Sequence, residues 1–397
     1  MRRIAALVWL LASLPAPAAV AAGPAATERA LAAQMRWAGG SSGALAVELA
    51  TGVPIYARRP DVSRTPASVE KLYTTATALR TLGADARLVT QVSADVTRDA
   101  VGTIYGNVYL RGAGDPTFGQ EEIDALAARM EAAGVFTITG AVVGDETAFD
   151  ELRGPPSSAF RTSAYVGPLS ALTFNRGLTG ERSPYFQAVP ARFAARAFTR
   201  ALRARGIWVG APAGTGPTPL GAVPVAAWES PPLVELAALT NQPSDNYAAE
   251  TLLKAVGALV AGRGTTEAGS GVVRAELAEI GIAPTVVDGS GLSHANRTTP
   301  RDVVALLGEM NGEAGFTGSL AIAGRSGTLA RRMRGTAAQD RCRGKTGTLS
   351  GVSALAGYCT TIDGTDVAFA FLMNRVNPSG ARVLQDRMAT ALARYTP

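Results

Sequence analysis

Apolar residues alternate with small or polar ones over residues 44–49, the pattern of a half-buried strand, and Thr51-Gly52 turns the chain toward a second strand near Ile55. Over residues 67–82 the spacing becomes helical: Leu72, Ala76 and Leu79 share one side, and Gly83 supplies the stop. From about residue 86 the texture changes again. Short strands over residues 88–92, 103–110, 141–143 and 184–189 alternate with glycine-rich turns and are interrupted by helices over residues 121–133 and 191–205. A Pro/Gly-rich run over residues 210–224 marks the exit from this region. Helices dominate residues 233–310. Strands then return, with a hairpin turning at Ser350-Gly351, a strand over residues 367–373 and a final helix over residues 381–394. The order predicts an α+β protein whose main domain uses both ends of the chain, residues 23–85 and 223–397. A smaller α+β domain over residues 86–222 is inserted into it.

The first 22 residues stand apart. Arg2 and Arg3 precede an apolar run over residues 4–14 and a small-residue stretch, Ala18-Ala19-Val20-Ala21-Ala22, the form of a cleavable secretory signal. The run is shorter than the roughly 20 apolar residues that a membrane span needs. The expectation is cleavage near Ala21 or Ala22 and a mature protein in the periplasm or cell-wall space.

Composition narrows the chemistry. A chain of 397 residues with 47% hydrophobic and 18% charged residues can build a sizeable core. The net charge of +6 is spread along the chain without a basic stripe or interleaved aromatics, which argues against nucleic-acid binding. One histidine and two cysteines are too few for a structural zinc site, and a Ser-His-Asp triad would have to use His294. No metal or cofactor is implied. Of 38 basic side chains only three are lysines, Lys71, Lys254 and Lys345, which makes them candidates for work that a guanidinium cannot do.

Two of the three lysines fall in short motifs. In Ser68-Val69-Glu70-Lys71, the three-residue spacing puts the serine and lysine on one helix face at the positive end of the helix dipole. A serine hydroxyl needs a base, and a lysine can serve if burial lowers its pKa, whereas an arginine stays protonated. Ser244-Asp245-Asn246 precedes a helix, where such residues also act as ordinary caps. Lys345-Thr346-Gly347-Thr348 lies on the first arm of the hairpin, offering a cation, two hydroxyls and a glycine that admits close approach. Each motif alone reads as a cap or a protected edge strand. Together and in this order they form the signature of penicillin-binding proteins and serine β-lactamases.

Longer segments resemble the D-alanyl-D-alanine carboxypeptidase/endopeptidases of peptidase family S13, the penicillin-binding protein 4 type. They are Pro66 through Thr75, Gly114-Asp115-Pro116-Thr117, Gly144-Asp145-Glu146, Asp288-Gly289-Ser290-Gly291-Leu292-Ser293, Ala323 through Leu329 and Lys345 through Tyr358. The resemblance implies a β-lactamase/transpeptidase-like catalytic domain, an antiparallel sheet flanked by helices. It further implies that Ser68 attacks the carbonyl between two D-alanines of a peptidoglycan peptide, with Lys71 as general base. Ser244 would relay a proton to the leaving amine, and Asn246 would hold the substrate amide and Lys71. Lys345, Thr346 and Thr348 would grip the terminal carboxylate across Gly347, and the backbone amides of Ser68 and Thr348 would form the oxyanion hole. β-Lactam antibiotics would be inhibitors that acylate Ser68. The inserted stretch looks short for this family. Glu70 lies between Ser68 and Lys71 in sequence, but a helix directs it away from both, so little effect on catalysis is expected. His294 stands where the family's Gly-Leu-Ser-Arg has arginine.

Three other readings fit less well. A class A β-lactamase would carry a deacylating glutamate in Glu-x-x-Leu-Asn, which is missing, and a class C enzyme would have Tyr-x-Asn where this chain has Ser244. β-Lactam hydrolysis should therefore be slow. Gly39-Gly40-Ser41-Ser42-Gly43 matches Gly-x-Ser-x-Gly, yet the strand follows it, the reverse of a nucleophile elbow. A catalytically silent cell-wall-binding protein would tolerate changes at Ser68 or Lys71, and both residues are present. Lys254, on the helix after Ser244, is expected at the surface.

Cys342 and Cys359 lie equally far from the Ser350-Gly351 turn. In a regular hairpin they face each other within reach of a disulfide, which an exported location permits. A bulge would leave two separate thiols.

Overall fold

The computed structural model describes residues 21–180 and 183–397. The expected signal segment therefore lies outside the described residues, Ala21 and Ala22 excepted.

Helix α1 (Pro24–Trp37) opens the described chain, followed by β1 (Gly43–Glu48) and β2 (Pro54–Arg58). A 3-10 turn over Ala67–Glu70 runs directly into α2 (Lys71–Leu82). Next come β3 (Val89–Ala94), β4 (Thr103–Ile104), β5 (Val108–Arg111), α3 (Gln120–Ala132), β6 (Thr137–Ile138) and β7 (Val142–Asp145). They are followed by α4 (Pro190–Ala204), β8 (Trp208–Val209), β9 (Gly214–Thr215) and β10 (Val223–Glu229). Helices α5 (Leu233–Asn241), α6 (Asn246–Ala261), α7 (Thr266–Glu279), α8 (Pro300–Glu309) and α9 (Ala314–Gly318) succeed one another. Strands β11 (Ala321–Ile322), β12 (Cys342–Leu349), β13 (Val352–Thr360) and β14 (Asp366–Asn374) lead to α10 (Pro378–Ala393).

The largest sheet has the order β11-β12-β13-β14-β1-β2 with every neighbouring pair antiparallel, so strands from both ends of the chain meet at the β14–β1 pairing. Its central strands are apolar on both faces because both faces are covered. Val367, Phe369, Phe371 and Met373 of β14 pack with Leu31 and Met35 of α1 and Met388 and Leu392 of α10. The alternate residues Ala368, Ala370 and Leu372 pack on the other side with Leu72, Val303 and Leu307. This is the antiparallel sheet flanked by helices that the sequence predicts.

The intervening stretch has its own apolar cluster, centred on Val92, Leu110, Ile123, Leu126, Val142, Phe198 and Leu202. It supplies a five-stranded sheet, β10-β3-β5-β7-β9, and a small parallel sheet, β4-β6-β8. Three details differ from the sequence reading. β10 pairs with β3, so this sheet continues past residue 222 as far as Glu229. The strand expected over residues 103–110 is two strands in different sheets, β4 and β5. The strand expected over residues 184–189 is reduced to a single bridge between Leu178 and Phe186, and Gln187 donates through its side-chain amide to the Phe174 and Leu178 carbonyls. Among the described residues, no helix is long and apolar enough to cross a membrane.

Candidate active site

The site begins with a break in the backbone. Ala67 takes the left-handed region at φ 48°, and the chain enters the 3-10 turn that contains Ser68 before Lys71 begins the α-helix. Side chains three residues apart eclipse one another in a 3-10 turn, which brings Ser68 and Lys71 together more directly than an α-helix would. Lys71 Nζ donates to Ser68 Oγ at 3.0 Å, to Asn246 Oδ1 at 2.7 Å and to the Ser290 carbonyl at 2.6 Å. Three acceptors thus meet the three hydrogens of an ammonium. If one proton leaves, the two carbonyl oxygens can keep the remaining hydrogens while the lone pair faces Ser68. Lys71 is fully buried, and that burial pulls its pKa down to about 8 against the nearby carboxylates, which hold it up.

Ser244 also sits in the left-handed region, at φ 65°, immediately before α6. Asp245 caps that helix by accepting from the Ala248 N–H at 2.9 Å, so the capping function of this motif is real. Asp245 also takes the Arg176 guanidinium at 2.6 Å, tying the intervening stretch to the rim of the site. Asn246, the first residue of α6, turns its amide oxygen to Lys71 and donates through Nδ2 to the Tyr165 carbonyl at 3.1 Å.

Strand β12 closes the other side. A Cβ at Gly347 would lie 2.6 Å from the Pro66 carbonyl oxygen and 3.1 Å from Ser68 N. Glycine there lets the strand lie against the turn that carries Ser68, bringing the β12 backbone beside the Ser68 amide. Lys345 is fully buried, donating to Ser244 Oγ at 2.7 Å and to the Thr346 carbonyl at 2.8 Å. Burial, reinforced by the charge of Lys71, holds its pKa well below the usual lysine value. Thr346 donates to Thr328 at 2.9 Å, and Thr348 Oγ1 accepts from Arg382 at 3.2 Å.

Ser68, Ser244, Asn246, Thr346 and Thr348 line one cleft of about 1050 Å³. Leu292 and Leu349 give it apolar surface, and Ser157, Ser158, Ser163 and Tyr165 bring the intervening stretch to its edge. Lys71 and Lys345 lie behind this lining.

Three acids take part in ways that the sequence does not announce, and Glu250 carries no mark there at all. Glu250 is fully buried and accepts the Ser290 and Gly289 N–H groups at 2.8 and 3.3 Å. Asp288 accepts from Gly291 N, Ser293 N and Asn296 Nδ2 at 2.7–2.8 Å. These carboxylates fix the loop that presents the Ser290 carbonyl to Lys71. Glu70 completes the group: it is fully buried, and among the described residues neither carboxylate oxygen has a hydrogen-bond partner. Burial pushes Glu70 well above the usual carboxylate range, with Asp288 and Glu250 adding to the rise. Burial and Asp288 push Glu250 up to about 7.

Lys254 is not at the surface, as its sequence position suggests, but fully buried. It donates to Asp150 at 2.6 Å and to the Leu152 carbonyl at 2.9 Å, joining α6 to the intervening stretch. A signal for this existed: Asn246, Glu250 and Lys254 recur every four residues and so share one helix face. His294 is exposed, and its carbonyl accepts from Thr65 at 3.4 Å and also from Arg297. Cys342 and Cys359 are directly paired in the β12–β13 register and joined as a disulfide.

The sequence model of the D-Ala-D-Ala carboxypeptidase 3 (S13) family matches residues 26–184 and 183–395. The D-alanyl-D-alanine carboxypeptidase of Actinomadura sp. (strain R39) is 33% identical over 445 residues, covering 90% of this chain and 82% of that protein. Among solved structures, penicillin binding protein 4 from Haemophilus influenzae superposes with a TM-score of 0.78 at 21% identity, covering 90% of this chain and 97% of that one. A predatory endopeptidase from Bdellovibrio bacteriovorus, acylated by penicillin G, gives a TM-score of 0.56 at 18% identity, over 88% of this chain and 90% of that one.

Proposed function

This chain belongs to the S13 family of D-Ala-D-Ala carboxypeptidases and is a serine-type D,D-peptidase; we propose that it acts outside the cytoplasm on peptidoglycan peptides through an acyl intermediate on Ser68. The observation that carries this reading is the 3.0 Å contact between Ser68 Oγ and a buried lysine whose pKa is lowered to about 8. At pH 7 roughly one tenth of such a lysine is neutral, enough to act as a base.

In this reading the peptide lies in the cleft with its penultimate D-alanine carbonyl beside Ser68. Lys71 takes the hydroxyl proton as Ser68 Oγ bonds to that carbon, and the backbone N–H groups of Ser68 and Thr348 receive the developing oxyanion. Ser244 Oγ accepts from Lys345, so it passes its own proton to the leaving nitrogen as the C–N bond breaks and takes a replacement from Lys345. Lys345 recovers through solvent the proton that Lys71 took from Ser68 and later releases. Water then attacks the ester, returns a proton to Ser68 Oγ and releases the shortened peptide. Asn246 holds Lys71 through Oδ1, and its Nδ2 would have to exchange the Tyr165 carbonyl for the peptide's to bind substrate.

The amino-terminal segment supports export. The β-lactams are strained mimics of the same acyl-D-Ala group, and a penicillin G-acylated relative of this fold supports acylation of Ser68 here. Both a carboxypeptidase and an endopeptidase occur among the related proteins, so free D-alanine and cross-linked peptides are both proposed as leaving groups.

The test combines fluorescent penicillin labelling with digestion of purified muropeptides. Labelling of the wild type and none of Ser68→Ala is expected, with release of D-alanine and resolution of cross-linked dimers. Equal labelling of both forms would overturn the assignment of Ser68, and intact muropeptides would overturn the substrate.

A further inference from the structure

The cation exposed at the β12 end of the cleft is not Lys345. That lysine is fully buried, and its ammonium is committed to Ser244 and to the Thr346 carbonyl. Beside Thr346 and Thr348, the cleft wall is completed by Arg332 and by Arg382 and Asp386 of α10.

The two arginines differ. Nε and Nη2 of Arg332 converge on Asp386 Oδ1 at 2.8 and 2.7 Å, and Nη2 also reaches Gln385 Oε1 at 3.2 Å. Gln385 is itself fixed through its amide to buried Ser353 at 3.0 Å. Arg332 is therefore neutralised and locked in place. Arg382 is exposed and donates to Thr348 Oγ1 at 3.2 Å, and among the described residues it joins no ion pair. Its natural partner four residues on, Asp386, is already held by Arg332. An unpaired guanidinium thus stands over a threonine hydroxyl at the edge of the cleft that contains Ser68. Its planar fork suits a carboxylate better than any other group a peptide can offer there.

We propose that Arg382 is a specificity-determining residue, its guanidinium meeting the free carboxylate of the substrate's C-terminal residue beside Thr348. This rests on the D,D-peptidase reading above. Lys345, by contrast, serves behind the wall, holding Ser244 and the Thr346 carbonyl. Selection for a charged leaving group then comes from α10, an element remote in sequence from the three motifs.

A matched pair of depsipeptides tests this, one with D-lactate as leaving group and one with D-lactate methyl ester. They differ only in the carboxylate. The full chain should prefer the free acid, and Arg382→Gln should lower kcat/KM for it about tenfold or more, chiefly through KM, since hydrogen bonds to charged groups are worth roughly 1.5–3 kcal/mol. The preference for acid over ester should collapse, and Arg382→Lys should restore part of it. Equal losses on both substrates would mark a merely structural role and overturn the proposal, as would an unchanged preference. If the wild type cleaves neither and Ser68 takes up no penicillin, the D,D-peptidase reading fails and this inference with it.

Discussion

The Glu250 carboxylate accepts the Ser290 N–H at 2.8 Å, and the carbonyl of the same Ser290 accepts from Lys71 at 2.6 Å. One buried acid thus holds the residue whose carbonyl orients the lysine, while Asp288 takes the Gly291 N–H of the carbonyl's own peptide unit, and the negative charge of Glu250 favours the protonated lysine. Glu250→Gln places an amide donor against one of the two N–H groups and removes the charge. Acylation by a penicillin should fall about 10- to 100-fold, the range expected for losing a hydrogen bond to a charged group. The pH dependence should move as well. The neutral amine is the reactive form, so the wild-type rate should rise with pH through about 8, and in Glu250→Gln the inflection should lie lower. Stopped-flow acylation rates across pH 5–10 would measure both effects. An inflection that does not move would count against the electrostatic half of the argument.

Lys254 and Asp150 differ in exposure, which makes their substitutions unequal. Lys254 is wholly buried, whereas the Asp150 side chain retains 23% exposure. Asp150→Asn leaves an ammonium stranded in the interior, a loss of about 3–5 kcal/mol by the usual behaviour of broken buried pairs. Lys254→Met leaves a carboxylate that water can reach, and its cost should be smaller. Urea unfolding of the two variants should rank them in that order. The reverse order would mean that the helix–insert contact depends on packing along the lysine stem.

Much of this architecture is legible in the sequence, and the exceptions share a physical cause. Ser68 and Lys71 are visible because their spacing brings the side chains together locally. Ser244, Asn246 and Lys345 meet their partners 101 and 175 positions away and are visible only because the three motifs occur together in one order. The β12–β13 hairpin is visible because Ser350-Gly351 marks its turn and the second arm, β13, is mainly apolar. Glu250 is not, and Asp288 is visible only as part of a segment carrying the family resemblance, because both act through backbone N–H groups of a loop and no spacing announces which loop a carboxylate will cap. Lys254 is misjudged because a lone lysine among apolar residues is normally at the surface, and its partner lies 104 positions away. Residues 223–229 pair with β3 although a Pro/Gly-rich run leading into them looks like an exit, because strand pairing ignores such a run.

The Cys342–Cys359 bridge closes a loop of sequence separation 17 at the base of the strand that carries Lys345. A loop of that size is worth roughly 3 kcal/mol on the chain-entropy scale. Replacing both cysteines with alanine should lower stability by about that amount, read by calorimetry or denaturant. The register from Cys342–Cys359 to Leu349–Val352 is held by backbone pairing along its whole length. Well below the transition temperature, acylation of Ser68 should therefore remain within about twofold of wild type. A large loss of acylation without unfolding would show that the bridge positions Lys345 directly.

Glu70 gives the clearest dependence of stability on pH. Its two carboxylate oxygens are buried without partners among the described residues, and its pKa in the folded protein lies well above the ordinary 4.5. A carboxyl group raised on folding is protonated in the native state while the unfolded chain ionises, so the native state loses stability as pH climbs above 4.5 toward the folded value. Glu70→Met keeps the volume and removes the orphaned oxygens, whose burial costs about 1–3 kcal/mol. The variant should melt higher than the wild type, by a margin that is small near pH 4 and larger at pH 7. Thermal scans at the two pH values would measure it. A margin that shrinks between pH 4 and pH 7 would mean that Glu70 is ionised in the folded protein and stabilised there by the Lys71 ammonium.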